Sequence, residues 1–233
     1  MNAMTRIREG ASGAGSLVCS VITANKIYLF SDGRVHTQGE IVSDNHTKVH
    51  EVAKFTGMLA AGMYLKPLVP TVTDECKVRK LVYVEDVVQV TALVLRKTWE
   101  DNRALMERLE KEEKMKIFAL VAGFSKSKEP KLYYVDSNSN PRFAVVHRPL
   151  FTGGRDVEIA AIVSTEATHD ATTLMVKHIH RIRRTSKSKK LGKIFRRAFD
   201  ATKREISAEN RLVGGSTFVG TIDPVVGFRH DTS

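Results

Sequence analysis

Ser16 follows Gly15 at the head of an apolar, β-branched run, and Asp32 and Arg34 close the next such run in Ser31-Asp32-Gly33-Arg34. Lys48 lies in a third run, and Gly62 ends a fourth in Ala60-Ala61-Gly62. These four residues stand 16, 18, 32 and 46 positions after Ser16. The residue types suit acyl transfer. A serine hydroxyl is a poor nucleophile until a base takes its proton. A nearby cation lowers the pKa of amines and hydroxyls, and an aspartate keeps that cation charged. A backbone N–H at a residue without a side chain can receive a tetrahedral oxyanion and leaves room for substrate. Singly, each residue also has a plain structural reading: strand start, Asp-Gly turn, solvent-facing strand lysine, turn glycine.

Other chemistries lack their motifs. The sequence has no P-loop, GxGxxG, GxSxG or HExxH. His36, His46, His50, His147, His169, His178, His180 and His230 are scattered, and His178 and His180 fall on different sides of a helix, so neither a metal site nor a cofactor is expected. Two cysteines, Cys19 and Cys76, cannot make a disulfide framework.

The elements that must position these residues can be read coarsely. Residues 1–15, rich in Gly, Ser and Ala, read as a flexible leader or propeptide, and 16–233 as a single domain. Strands are expected over Ser16–Thr23 and Lys26–Ser31 around an Ala24-Asn25 turn, then over Thr47–Val52 and Phe55–Ala61 around Ala53-Lys54. A helix over Met63–Cys76 must kink or start late because of Pro67 and Pro70. A long helix over Val84–Lys114 follows, then strands over Lys116–Phe124, Lys131–Asp136 and Arg142–His147. Gly153-Gly154 is expected to open a helical stretch that Glu166–Arg184 continues. A basic helix over Lys189–Ser207 and two strands, Ser216–Ile222 and Val225–Arg229, finish the chain. Helices in blocks between antiparallel strand pairs give an α+β fold of stacked layers, helix pairs outside and sheets between.

The 233 residues are 42% hydrophobic and 27% charged, which excludes wholesale disorder. No apolar run is long enough to span a bilayer and no signal peptide is evident, so a cytoplasmic protein without membrane contact is expected. The net charge of +11 is concentrated between Lys177 and Arg204, where twelve Lys and Arg face one acid, Asp200. Such a block could bind a polyanion. Leu191, Ile194, Phe195, Ala198, Phe199 and Thr202, however, form one helical stripe with the basic residues on the other faces.

The arrangement of Gly15-Ser16, Asp32, Arg34, Lys48 and Gly62 resembles the catalytic β-subunits of the proteasome and the bacterial HslV-type peptidases, members of the N-terminal nucleophile hydrolases. All four spacings agree without a gap, and the order of strand and helix blocks is similar over nearly the whole chain. The resemblance implies a four-layer α/β/β/α sandwich and a self-processing, threonine/serine-type peptidase. Cleavage after Gly15 would expose Ser16, whose α-amine, with a pKa of about 8, would serve as base. Lys48 would supply positive potential, Asp32 would hold Lys48, Gly62 would donate to the oxyanion, and Arg34 would brace the Asp32 region. A homo-oligomeric ring and a peptide or protein substrate are implied. An ATP-dependent unfoldase partner is compatible with the resemblance but encoded by no motif.

The chain departs from the family pattern in places. Serine replaces threonine as nucleophile. A family Asp and Ser fall on Asn210 and Val213, with Glu209 one position from the first, and a further Ser falls on Gly154. These losses imply weaker support around the α-amine. Two alternatives therefore stand: a catalytically inactive, ring-forming scaffold, and a protein binding nucleic acid or another polyanion through the 177–204 block. The basic helical segment at about 185–208 exceeds the family's usual linker, and Arg183, Arg184, Lys187, Lys189, Lys190 and Lys193 are its candidate contacts to a polyanion or partner.

Overall fold

Ile117–Phe124 is buried along its whole length, and its side chains go alternately into two different cores, as the twofold period of a strand requires. Ile117, Ala119 and Val121 pack with helical side chains such as Val87, Leu95 and Trp99. Phe118, Leu120, Ala122 and Phe124 instead meet Val18, Ile22, Leu29 and Ile222 of a second sheet. One strand thus separates a helix layer from another sheet.

The computed structural model describes residues 11–12, 16–37, 40–62, 64–65, 67–113, 116–147, 151–152, 157–163, 170–186 and 190–231. In chain order the elements are β1 (Ala11–Ser12), β2 (Leu17–Thr23), β3 (Lys26–Asp32), β4 (Val35–Thr37), β5 (Glu40–Ser43), β6 (Val49–Ala53), β7 (Thr56–Gly62) and β8 (Tyr64–Leu65). Three helices follow, α1 (Leu68–Val78), α2 (Val84–Asp101) and α3 (Arg103–Glu113). Next come β9 (Ile117–Phe124), β10 (Pro130–Asp136), β11 (Val146–His147), β12 (Phe151–Thr152) and β13 (Val157–Val163). Helices α4 (Ala171–Thr185) and α5 (Leu191–Glu209) precede β14 (Thr217–Asp223) and β15 (Gly227–Asp231).

Five strands form one antiparallel sheet in the order β11-β10-β9-β7-β6, and six form the other, β12-β13-β2-β3-β14-β15. Side chains of α1, α2 and α3 cover the first sheet. Those of α4 and α5, including Leu174, Ile179, Phe195 and Phe199, cover Leu17, Cys19, Val21 and Phe30 of the second. The result is the α+β, four-layer α/β/β/α sandwich. Full burial of a Leu, Ile or Phe is worth about 1.5–3 kcal/mol, so three contiguous cores hold the layers in register. The basic stretch after Lys190 is a structural helix of the outer layer: α5 buries Ile194, Phe195, Ala198, Phe199 and Thr202.

Several elements differ from the sequence expectation. Val157–Val163 is a strand, not part of a helical stretch. It pairs with β2 over seven positions from Val157↔Thr23 to Val163↔Leu17. A strand covered on both faces lacks polar alternation, and Glu-Ile-Ala-Ala then reads as helix. The strand expected over Arg142–His147 shrinks to Val146–His147. Phe143 sits instead in a turn at φ +57°, with its N–H on the Asp136 carbonyl and the Ala144 N–H on the Pro141 carbonyl. The long helix breaks at Asn102, which leaves helical geometry at φ −131°, ψ 22°; its side-chain amide donates to the Thr98 carbonyl, and its own carbonyl starts α3 by accepting from Leu105 and Met106. The first helix starts late, as the prolines require, with Pro67 at its N-cap. Finally, two residues of the expected flexible leader are ordered: β1 pairs antiparallel with β8, Ala11↔Leu65 and Ser12↔Tyr64.

Candidate active site

The β2–β3 ladder runs from Thr23↔Lys26 to Val18↔Ser31, which brings the end of β3 beside the start of β2. Asp32, wholly buried, uses that position. Its Oδ1 accepts the N–H of Leu17, the residue after Ser16, at 3.0 Å, and the Lys48 Nζ at 2.6 Å. Its Oδ2 accepts the Gly214 N–H at 3.0 Å. One carboxylate therefore ties together the chain at Ser16, the loop before β6 and the loop before β14. Ser16 and Lys48 are each 4% exposed, so the cluster sits where water screens it little.

Lys48 has a second acceptor, the Arg34 carbonyl at 2.8 Å. Burial pulls the Lys48 pKa below its ordinary value; charge attraction and the hydrogen bond from Asp32 pull it back, and Arg34 adds a smaller downward push. Through its own carbonyl, Lys48 accepts from Ala60 N at 3.3 Å, two residues before Gly62. At Gly62, φ is +85°, and a Cβ there would lie 1.9 Å from the Lys116 carbonyl oxygen. Only glycine fits the end of β7 in this register.

Arg34 turns its guanidinium away from Asp32. It holds Asp44 through two bonds of 2.6 and 3.1 Å and the Arg211 carbonyl at 2.7 Å. Asp44 is held below the usual carboxylate range by that hydrogen bond. Beyond it, His36 places Nε2 2.8 Å from the Leu212 carbonyl. Burial, then Lys48 and Arg34, keep His36 below its usual pKa. The Gly33 N–H adds a bond to the Gly214 carbonyl at 3.1 Å, so residues 33–36 clamp residues 211–214. Asn210, the C-cap of α5, supports this loop with its side-chain oxygen on the Leu212 N–H.

The cluster thus joins Asp32, Lys48 and the Ser16–Leu17 junction, with Arg34 and Asn210 around it and Gly62 at the end of the neighbouring strand β7. Gly15 and Gly154 lie outside the described residues, as do Lys187 and Lys189. Arg183, Arg184, Lys190 and Lys193 are exposed on or beside α4 and α5, away from the Asp32 cluster's hydrogen bonds. Sequence reasoning missed Asp44, His36 and the Gly214 N–H as parts of this assembly. Gly214-Gly215 is the one visible signal: Gly215 has φ +72°, and a Cβ there would lie 2.4 Å from the Asp44 carbonyl oxygen. No group of three or more His, Cys, Asp or Glu among the described residues could hold a metal ion.

Two stacked antiparallel sheets between helix layers, with Ser16 at the head of a central strand beside a buried Asp–Lys pair, define a sandwich of the N-terminal nucleophile hydrolase type. The Proteasome subunit family model matches residues 13–144, more than half of the chain, and the protein belongs to that family. No curated protein matches the sequence. The family includes peptidase and scaffold subunits, and its members form oligomeric rings. Among the described residues no helix is long and apolar enough to cross a membrane.

Proposed function

We propose that the protein is a self-processing, serine-type peptidase of the proteasome kind. The Ser16 hydroxyl adds to the Gly15 carbonyl carbon, the Gly15–Ser16 C–N bond breaks as the Ser16 nitrogen takes a proton, and water hydrolyses the resulting ester. The freed α-amine, with a pKa of about 8, then serves as general base for attack on a peptide carbonyl. Lys48 sets the positive potential around Ser16, Asp32 orients Lys48, and the Gly62 N–H donates to the oxyanion.

The observation that carries this reading is the buried Asp32–Lys48 pair, whose carboxylate also holds the amide next to Ser16. A charged pair at 0 and 5% side-chain exposure contributes little net stability compared with an apolar pair of the same size, so its place beside a buried serine favours chemistry over architecture. Strand β1 adds support. It pairs with β8 and also lies against β4, the geometry in which an extended peptide is held by strand addition. The free, buried thiols of Cys19 and Cys76 suit a reducing, cytoplasmic compartment. A ring of identical subunits would follow the family pattern, and an unfoldase partner would serve folded substrates.

Intact mass after incubation tests the reading. The full-length protein should lose residues 1–15, and Ser16→Ala should remain whole. Wild-type protein that also stays whole, with no hydrolysis of unstructured peptides, would leave the ring-forming scaffold as the function.

A further inference from the structure

A groove of about 600 Å3 lies between α4 and α5, walled by Arg181 from α4 and by Arg197, Asp200, Lys203 and Arg204 from α5. Four cations and one carboxylate share it, and their hydrogen bonds leave the positive charge uncompensated. Asp200 is spent inward, accepting the Thr217 hydroxyl at 2.6 Å. Lys203 donates to that same hydroxyl and to the Gly215 carbonyl, both at 2.6 Å. Arg204 reaches only the Asp200 carbonyl on its own helix, at 3.4 Å. Among the described residues the Arg181 and Arg197 side chains make no hydrogen bond or ion pair. Further along the same helix–helix seam the cations are matched, since Lys177 and His178 both pair with Glu205.

Two guanidinium forks with unused donors, facing one concavity with two further cations, match the tetrahedral oxygens of phosphate better than a single carboxylate. The volume falls in the range of small-molecule sites, which suits a compact anion and not the face of a duplex. We propose that this groove binds a compact oligophosphate, held by Arg181, Arg197 and Arg204. The site is separate from the candidate peptidase centre but touches it from behind. Lys203 holds Gly215, whose neighbour Gly214 gives its N–H to Asp32, and Thr217 is the ladder partner of Asp32.

Calorimetric titration of the full-length protein with inorganic tripolyphosphate tests this independently of any peptidase activity. Saturable binding is expected, weakened about tenfold or more for each guanidinium removed in Arg181→Ala and Arg197→Ala. Lys190→Ala with Lys193→Ala, on exposed positions outside the groove, should leave it unchanged. Both groove arginines are exposed, and equal thermal midpoints would show that the variants fold. Absence of saturation by about 1 mM ligand, or equal loss in the Lys190/Lys193 control, overturns the proposal. So does binding of a single-stranded oligonucleotide in the absence of tripolyphosphate binding, which would place the affinity on the exposed basic block.

Discussion

Asp32→Asn is the sharpest probe of the buried cluster, because it preserves shape while removing one charge and one acceptor. In the wild type, Oδ1 serves the Leu17 N–H and Lys48 Nζ, and Oδ2 serves the Gly214 N–H. An asparagine oxygen can keep the first two. Its NH2 then faces the Gly214 N–H, donor against donor. Leaving a buried backbone donor unpaired costs about 1–3 kcal/mol. Lys48, 5% exposed at its side chain, also loses its counter-charge, and breaking a buried pair brings the total to about 3–5 kcal/mol. Against a typical stability of about 5–15 kcal/mol, that is a large fraction.

Urea unfolding near neutral pH should show a lower midpoint at unchanged slope. The pH dependence separates charge loss from simple misfit. The folded pKa of Lys48 lies below its ordinary 10.5, so between those values the unfolded chain binds more protons and stability rises with pH. Removing Asp32, which holds that pKa up, extends the window downward. The deficit of Asp32→Asn should therefore shrink as pH rises through the extended window. A deficit below about 0.5 kcal/mol, the size of an ordinary surface substitution, or one that does not shrink with pH, would refute the electrostatic reading.

Two other substitutions test the frame around the site. Gly62→Ala forces a side chain into left-handed backbone, at about 1–2 kcal/mol, and puts a Cβ against the Lys116 carbonyl, so a loss of at least about 2–3 kcal/mol is expected; a wild-type melting midpoint would contradict the β7–β9 register. His50 is pushed down to about 4, by burial first and then by His46 and His230. Its folded pKa is depressed, so it contributes stability above the unfolded value of about 6.5 that is lost as pH falls toward 4. The shift sets a ceiling of about 3 kcal/mol, reduced by partial exposure to about 1–3 kcal/mol. His50→Gln should flatten the melting curve's dependence on pH in that window, and an unchanged slope would exclude His50 as its source.

The residues joined by Asp32 were legible in the sequence because strand spacing converts directly into ladder position. With β2 and β3 in register from Thr23↔Lys26 to Val18↔Ser31, Asp32 must come beside Leu17, and the next strand pair carries Lys48 and Gly62. The layers were legible from the same alternation of apolar runs. Contacts made by backbone atoms were not. The Gly214 N–H lies 182 residues from Asp32 and leaves no side-chain pattern, and Arg34–Asp44 is a loop pairing without periodicity. Strand β13 was hidden because it is covered on both faces. The basic block marked a charged region correctly but not its shape: the forks facing one groove are Arg181 and Arg197, whereas Arg183, Arg184, Lys190 and Lys193 are surface charges outside the groove lining.

Asn210 and Val213, which replace an acidic and a hydroxyl residue of the family pattern, bear on how the proposed reaction would run. Neither is an idle substitution. The Asn210 N–H ends α5 on the Ile206 carbonyl, its own carbonyl takes the Val213 N–H, and its side chain takes the Leu212 N–H. Val213 is wholly buried in the core beneath α4 and α5. Together they fix a tight turn that presents the Arg211 carbonyl to Arg34, the Leu212 carbonyl to His36 and the Gly214 N–H to Asp32. The support that side chains give in the family pattern is here given by backbone groups, which can position but cannot relay a proton at neutral pH. Proton transfer at Ser16 then falls to the freed α-amine and to Lys48, whose burial brings it closer to neutrality than an exposed lysine. Lys48→Arg keeps the charge, stays protonated at any working pH and cannot accept a proton. It should abolish processing while leaving Asp32 paired, and processing at the wild-type rate in that variant would leave the α-amine and water as the only bases.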